Sequence, residues 1–443
     1  MHVDGSESSE YSDDDDYMTA ISAVSNTTYF TAVSGSGVDE RQRLGRSSLS
    51  AEYAKILFEK QLLPVEPSRE KNWSGRGQHV EFSRFERESL NHLLRVEDTL
   101  GSTRSAIVQS VKCRRILLAR KTIRCTHHFT KSQAIDEVAH LTRLSHSHIV
   151  QVIGTYVMEN DLSILMYPVA EHNLATFMDE LRPAQLHKLE WRERATSLLL
   201  GLPCLCNAML HIHINMTKHM DIKPENILVR DVKQYKARRP SNASFKLYIA
   251  DFGISRSYDS IEATETEGPT HFTHRYAAPE VVDRDKRGLA ADIFSLGCVF
   301  VEIYSVLAGI FEPWARKHHD KTFPEFAWVM RSTAYEEASH EHQTDNSLSS
   351  QLRRILAANE FGDRSYQANI TPVREFLFKI GEENPLYEKP IQEVVRMISA
   401  NPRERPTAKE LATYWGRRQI CCSSVGDELE AVLNVPRTGQ FTM

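Results

Sequence analysis

One short stretch, His219-Met-Asp-Ile-Lys-Pro-Glu-Asn226, brings a carboxylate, an ammonium and a carboxamide close together, and Asp251-Phe-Gly253 adds a second carboxylate further on. A carboxylate such as Asp221 can orient a hydroxyl and accept its proton as that hydroxyl attacks. Asn226 and Asp251 are oxygen ligands of the hard kind that Mg²⁺ prefers, alongside phosphate oxygens and water. The pattern D-x-K-P-E-N, with five fixed positions, arises by chance in a chain of 443 residues with a probability on the order of 10⁻⁴. Ala278-Pro-Glu280 then follows in order.

With these motifs in this order, the chain resembles the eukaryotic protein kinase family, serine/threonine branch, over about 96–416. The resemblance implies an α+β bilobal fold, with a small antiparallel β-sheet lobe carrying one C-helix and a larger, mainly helical lobe. It also implies transfer of the γ-phosphate of ATP. That chemistry needs an aligned nucleophile and neutralised phosphate charge more than covalent help. Asp221 would be the base, Lys223 would offset charge on the transferred group, and Asn226 and Asp251 would hold two magnesium ions. ATP and Mg²⁺ are thus the implied cofactors.

Other positions follow from the same resemblance. Leu118-Ala-Arg-Lys121 is similar to the V-A-I-K strand, whose lysine contacts the α- and β-phosphates. Glu137 is then its ion-pair partner on the C-helix. Ala119 and Met166 fall in the adenine pocket, Met166 at its back, with Tyr167 to Val169 as the hinge. Pro168 there lacks an N–H donor. The glycine-rich loop is degenerate. Leu100, Gly101 and Val108 match it, while Thr103 and Ala106 replace the second and third glycines, which normally let backbone N–H groups approach phosphate. Weaker ATP binding is the expectation.

Met220 replaces an arginine that in the family commonly pairs with a phosphate on the activation segment. Activity is therefore expected not to need phosphorylation by this route, despite hydroxyls at Ser255, Ser257, Thr264, Thr266 and Thr270. Glu280 and Arg405 resemble the buried ion pair of the helical lobe, and Asp292 the anchor of the catalytic loop. Leu141, His219 and Phe252 match a stacked column linking the lobes. Lys223-Pro-Glu-Asn226 and Thr273 ahead of Tyr276 look like the branch that phosphorylates protein Ser/Thr. Glu225 and Glu302 stand where some members receive a basic substrate residue. The altered glycine loop and Met220 also keep open a pseudokinase scaffold that binds nucleotide weakly and acts through partners.

The elements that must position these residues can be read from periodicity. Strand-like runs cover Ile107 to Val111, Ile116 to Ile123, Val150 to Val157 and Leu162 to Met166. Ile135, Val138, Leu141 and Leu144 have helical spacing, and long apolar stripes run from Ala195 to Ile214 and Ala291 to Leu307. The small lobe is expected over 93–168 and the large lobe over 169–417. Insertions are expected near 230–246, which is basic and contains Arg238-Arg-Pro-Ser241, and near 318–369. The extension 41–92 reads as poorly ordered or partly helical around Ala51 to Leu62, broken by Pro64 and Pro67.

Composition bounds the rest. The net charge is −5, from 54 basic and 59 acidic residues, too balanced for nucleic-acid or lipid binding to be the main activity. Residues 1–40 hold nine carboxylates and no Lys or Arg, which leaves +4 on the remainder. This acidic tail is expected to be disordered. A third reading makes it the functional segment, engaging a basic partner or the kinase domain itself. Seven cysteines without metal or disulfide spacing suit a cytoplasmic or nuclear protein. No secretory signal or membrane span is expected, since the most apolar run, Ile293 to Phe311, carries Glu302. A C-terminal tail, 418–443, carries vicinal Cys421 and Cys422.

Overall fold

The computed structural model describes residues 49–103, 106–127, 129–181, 188–233, 243–253, 255–258, 260, 262–266, 272–317 and 347–416. The acidic tail, the C-terminal tail and Arg238-Arg-Pro-Ser241 therefore lie outside the described residues.

The small lobe is a six-stranded sheet of order β1-β5-β6-β4-β3-β2. Its strands are β1 (His79–Phe82), β2 (Leu94–Ser102), β3 (Ala106–Cys113), β4 (Ile116–Arg124), β5 (Gln151–Met158) and β6 (Asp161–Tyr167). Five strands pair antiparallel, as the runs of β-branched residues predict. The sixth is a departure: β1, from the extension, lies parallel to β5 in the register His79 to Thr155. The sheet is thus antiparallel-dominated, not purely antiparallel.

The extension is built into the lobe. Helix α1 (Ala51–Glu59) starts where the Ser50 side chain accepts from the Tyr53 N–H, satisfying an orphan donor. Helix α2 (Arg87–Leu93) leads into β2. Trp73, Val80, Phe82 and Leu90 bury one sheet face together with Val111, Leu118, Ile153, Tyr156 and Leu165. Neighbouring residues of the same strands, Ala119, Val152, Ile164 and Met166, join the main core on the other face. With both faces covered, β5 and β6 are buried at successive positions instead of at alternate ones. Tyr53 Oη and His79 Nδ1 both meet Thr155 Oγ1, at 2.5 and 2.7 Å.

Gly154 makes that docking possible. The Trp73 indole N–H and the Thr155 backbone N–H both donate to the Gln78 carbonyl, at 2.9 and 3.1 Å. A Cβ on Gly154 would collide with that oxygen and with the indole. Gly154→Ala is expected to cost about 1–3 kcal/mol through overpacking. Denaturant titration should show a lower midpoint, with new protease cleavage ahead of Leu94; an unchanged midpoint would contradict the close approach.

Helix α3 (Lys131–Thr142) is the C-helix. A capping box, Thr130 with Gln133, sets its start, and Ala134, Ile135, Val138 and Leu141 bury its inner face. Below it the large lobe contains α4 (Leu174–Asp179), α5 (Lys188–Ile214), α6 (Pro279–Val282), α7 (Ala290–Lys317), α8 (Leu348–Ala357), α9 (Ile370–Glu383), α10 (Pro385–Met397) and α11 (Ala408–Gly416). Among the described residues it also holds two short ladders. One is β10-β9-β7, from Phe245–Ile249, Ile227–Asp231 and His172–Asn173; the other pairs β8 (Thr217–Lys218) with β11 (Arg256–Ser257).

Glu193–Ile214 and Ala290–Ala308 are apolar enough to span a membrane by composition, yet 72% and 83% of these windows are buried within the protein. They are core helices. The expected insertions near 230–246 and 318–369 lie partly outside the described residues. Arg230 and Lys246 pair across β9 and β10, and both are buried. Their stems gain cover from Tyr167 and Tyr248, over whose rings the charges sit. Within 318–369, Leu348, Leu352 and Leu356 bury one stripe of α8.

Candidate active site

The catalytic loop runs from β8 to β9, and α7 holds its start. Asp292, in the first turn of α7, accepts the backbone N–H groups of His219 and Met220 at 2.8 Å each, and His213 Nε2 lies 3.2 Å from its carboxylate. Burial alone would raise this carboxyl. The hydrogen bonds and the charge of His213 outweigh burial and hold it below the usual carboxylate range. Met220, with φ of 72°, and Asp251, with φ of 58°, sit in the left-handed region unusual for non-glycine residues. Such conformations cost about 1–3 kcal/mol each and persist only where neighbours over-determine them. For Met220 the Asp292 clamp does so.

His219 Nε2–H donates to the Ala250 carbonyl, 2.9 Å away, and its ring centroid lies 4.4 Å from that of Phe252. Burial pushes its imidazole below the ordinary value. His219, Phe252 and Leu141 share the core that joins the lobes.

The candidate side chains of the catalytic loop lie together. Asp221 Oδ1 accepts from the Thr273 hydroxyl at 2.6 Å, and Oδ2 accepts from Asn226 Nδ2 at 2.8 Å. Lys223 Nζ lies 3.0 Å from Asp221 Oδ2 and donates to Thr273 Oγ1 at 2.7 Å. Asp221, Lys223 and Asn226 are all buried. The short charge-assisted bonds fix the carboxylate in one orientation. Asn226 uses its amide nitrogen on Asp221, so its carbonyl oxygen is the end suited to a hard cation, as is the Asp251 carboxylate. This oxygen donor set fits Mg²⁺.

Across the cleft, Lys121 on β4 donates to both carboxylate oxygens of Glu137 on α3, at 2.9 and 3.1 Å. Ala119 pairs with Met166 across β4 and β6, and Val108 pairs with Lys121 across β3 and β4, so these positions line one neighbourhood. The Tyr167 hydroxyl accepts from Arg230 Nη1 at 2.6 Å, which anchors its side chain on the large lobe; Val169 packs at the edge of the main core. Leu100 is exposed and Gly101 has open space around it. At the loop tip, the Ala106 N–H donates to Thr103 Oγ1 at 3.0 Å, and the Thr103 N–H donates to the Ala106 carbonyl at 2.8 Å. That commits two backbone amides internally.

Two features differ from the sequence expectation or exceed it. Glu302 is held by the Tyr276 and Tyr366 hydroxyls at 3.0 and 2.8 Å and by Arg275 at 3.3 Å, so it is already occupied; Glu225 is exposed. Burial raises the Glu302 carboxyl against the opposing pull of Arg275 and the two hydroxyls. The second is Lys218, a buried lysine that no motif singled out. Its only sequence signal is a charge directly before the catalytic loop.

A two-lobed α+β domain that sets a closed Lys–Glu pair opposite an oriented aspartate, a lysine and two oxygen ligands is a phosphotransferase architecture of the kinase class. The sequence matches the protein kinase domain over residues 94–415, and the chain belongs to that family. It is similar to the leucine-rich repeat receptor-like protein kinase PEPR1 of Arabidopsis thaliana, at 21% identity over 70% of this chain and 26% of that protein. Cyclin-dependent kinase 4 of Mus musculus is 32% identical over 38% of this chain and 51% of its own. The serine/threonine-protein kinase ssn3 of Aspergillus clavatus is 26% identical over 43% of this chain and 41% of its own. The matched regions thus span about a quarter to a half of these relatives.

Proposed function

We propose that this chain is an active protein kinase that transfers the γ-phosphate of ATP to Ser or Thr hydroxyls of protein substrates. The observation that carries the reading is the Asp221 carboxylate, held by Thr273, Lys223 and Asn226 opposite a closed Lys121–Glu137 pair. Bound Mg²⁺ would neutralise developing phosphate charge, with Asn226 and Asp251 as its protein ligands. Asp221 orients the acceptor hydroxyl and takes its proton. Lys223 places positive charge beside the transferred group, and Lys121, fixed by Glu137, addresses the other phosphates. Thr273, which bridges Asp221 and Lys223, supports an aliphatic alcohol as acceptor.

The self-closed Thr103–Ala106 turn favours the second reading, a pseudokinase scaffold with weak nucleotide binding. Incubation with labelled ATP, Mg²⁺ and a mixed protein substrate, with the Asp221→Asn protein alongside, separates the two. Label on Ser and Thr, absent in the variant, is expected. Equal label in both proteins, or label confined to Tyr, would overturn the proposal. No label in either, with ATP still raising the melting temperature, would establish the scaffold.

The acidic segment 1–40 is proposed to contact a basic partner or the +4 remainder of the chain, a contact that salt would screen. A cytoplasmic or nuclear setting is proposed from the reduced cysteines; the five among the described residues are free.

A further inference from the structure

Lys218 is only 1% exposed, although it carries an ammonium group. Burying such a charge is costly unless its donors are used. Here Nζ donates to the Thr264 carbonyl at 2.7 Å, the Thr266 hydroxyl at 2.8 Å and the Arg287 carbonyl at 3.3 Å. An ammonium has three N–H donors, and these acceptors match that number. The Tyr258 ring lies 4.8 Å away on a further side.

Lys218 and its partners come from three stretches of chain. Lys218 itself ends β8, directly before the catalytic loop, and β8 pairs with β11 at the start of the activation segment. Tyr258, Thr264 and Thr266 belong to that segment's middle. Arg287 follows α6, and its backbone exchanges two hydrogen bonds of 3.0 Å with Thr266. Lys286 and Glu265 form an ion pair on the neighbouring positions. Segment hydroxyls nearer the loop are engaged too: Ser255 donates to the His219 carbonyl at 3.1 Å, and Ser257 Oγ lies 3.0 Å from Thr217 Oγ1.

We propose that Lys218 is a positioning residue: its buried ammonium holds the activation segment against the catalytic loop, in place of a charge added by phosphorylation. The Met220 side chain has no donor with which to do this from the loop itself. Later in the same segment the Thr273 hydroxyl bonds Asp221 and Lys223, a direct link between the segment and the reacting groups. The inference rests on the active-kinase reading for its effect on rate, but the ordering of the segment can be measured without any catalysis.

The test compares the full chain with Lys218→Met and Lys218→Arg, using hydrogen exchange over 257–266, ATP-induced thermal shift and steady-state kinetics. In Lys218→Met, exchange over 257–266 should quicken by about ten- to a hundredfold, the loss expected for charged hydrogen bonds. The kcat should fall by about tenfold or more with KM for ATP within about twofold, since the Lys121–Glu137 side is untouched. Lys218→Arg should recover part of both, and phosphatase-treated wild-type protein should keep its rate. Unchanged exchange in Lys218→Met, or loss of rate on phosphatase treatment, would overturn the proposal. If Lys218→Met fails to fold, Thr266→Val, which removes one acceptor, takes its place with the same exchange readout. Should wild-type protein show no transfer at all, the active-kinase reading falls while exchange still decides the role of Lys218.

Discussion

Asp221→Asn is expected to lower kcat for phosphoryl transfer by about 10²–10⁴-fold, the range for losing a positioned general base. The substitution keeps the shape of the side chain but removes its charge and its ability to take a proton. Asp221 now accepts from Thr273 at 2.6 Å and Asn226 at 2.8 Å, with the Lys223 ammonium 3.0 Å away. A carboxamide presents only one oxygen to these donors, so Lys223 loses its counter-charge and the cluster loosens. Lys121, Glu137 and Asp251 are untouched, and ATP should still raise the melting temperature by nearly the wild-type amount. Initial rates at saturating ATP provide the measurement, and a variant rate within about threefold of wild type would remove Asp221 from the base role.

Arg405→Ala should destabilise the protein by about 3–5 kcal/mol, because it leaves a buried carboxylate without its partner. The pair is bidentate, with Arg405 nitrogens 2.6 and 2.8 Å from the two Glu280 oxygens. Arg405 also donates to the carbonyls of Ser399, Ala290 and Ala400, at 2.8, 3.0 and 3.2 Å. Its removal thus orphans a charge and three backbone acceptors that link α6, the start of α7 and the stretch before α11. The denaturant midpoint should drop sharply, whereas Arg403→Ala, at an exposed neighbour, should leave it nearly unchanged. Equal midpoints for the two variants would refute the role of the pair.

What could be read from the sequence divides along a physical line. The catalytic loop, Asp251 and the Glu280 motif are contiguous, so residue types and spacing suffice to find them. Lys121 and Glu137 are recognisable because a strand and a helix with clear periodicity bracket them. The extension was harder. His79–Phe82 is a four-residue strand whose partner, Thr155–Met158, is distant in sequence, and a parallel edge has no hairpin turn to announce it. Trp73 sits in a polar stretch, and only the face of β3 to β6 shows why it is apolar. Arg230 and Lys246 look like part of a solvated loop until the β9–β10 register places them in strands. Lys218 is of the same kind: local chemistry puts a lysine in water, and only acceptors from two other stretches justify burying it.

The tight fit at Gly154 carries a consequence for descent. The glycine's missing side chain is space already taken by Trp73 and the Gln78 carbonyl, which lie far upstream and ahead of the 94–415 span. A lineage that kept the upstream strap could not exchange this glycine freely, and one that lost the strap would be released from the constraint. The two features should be inherited or lost together, so a single position inside the kinase domain would record whether an ancestor wore the strap.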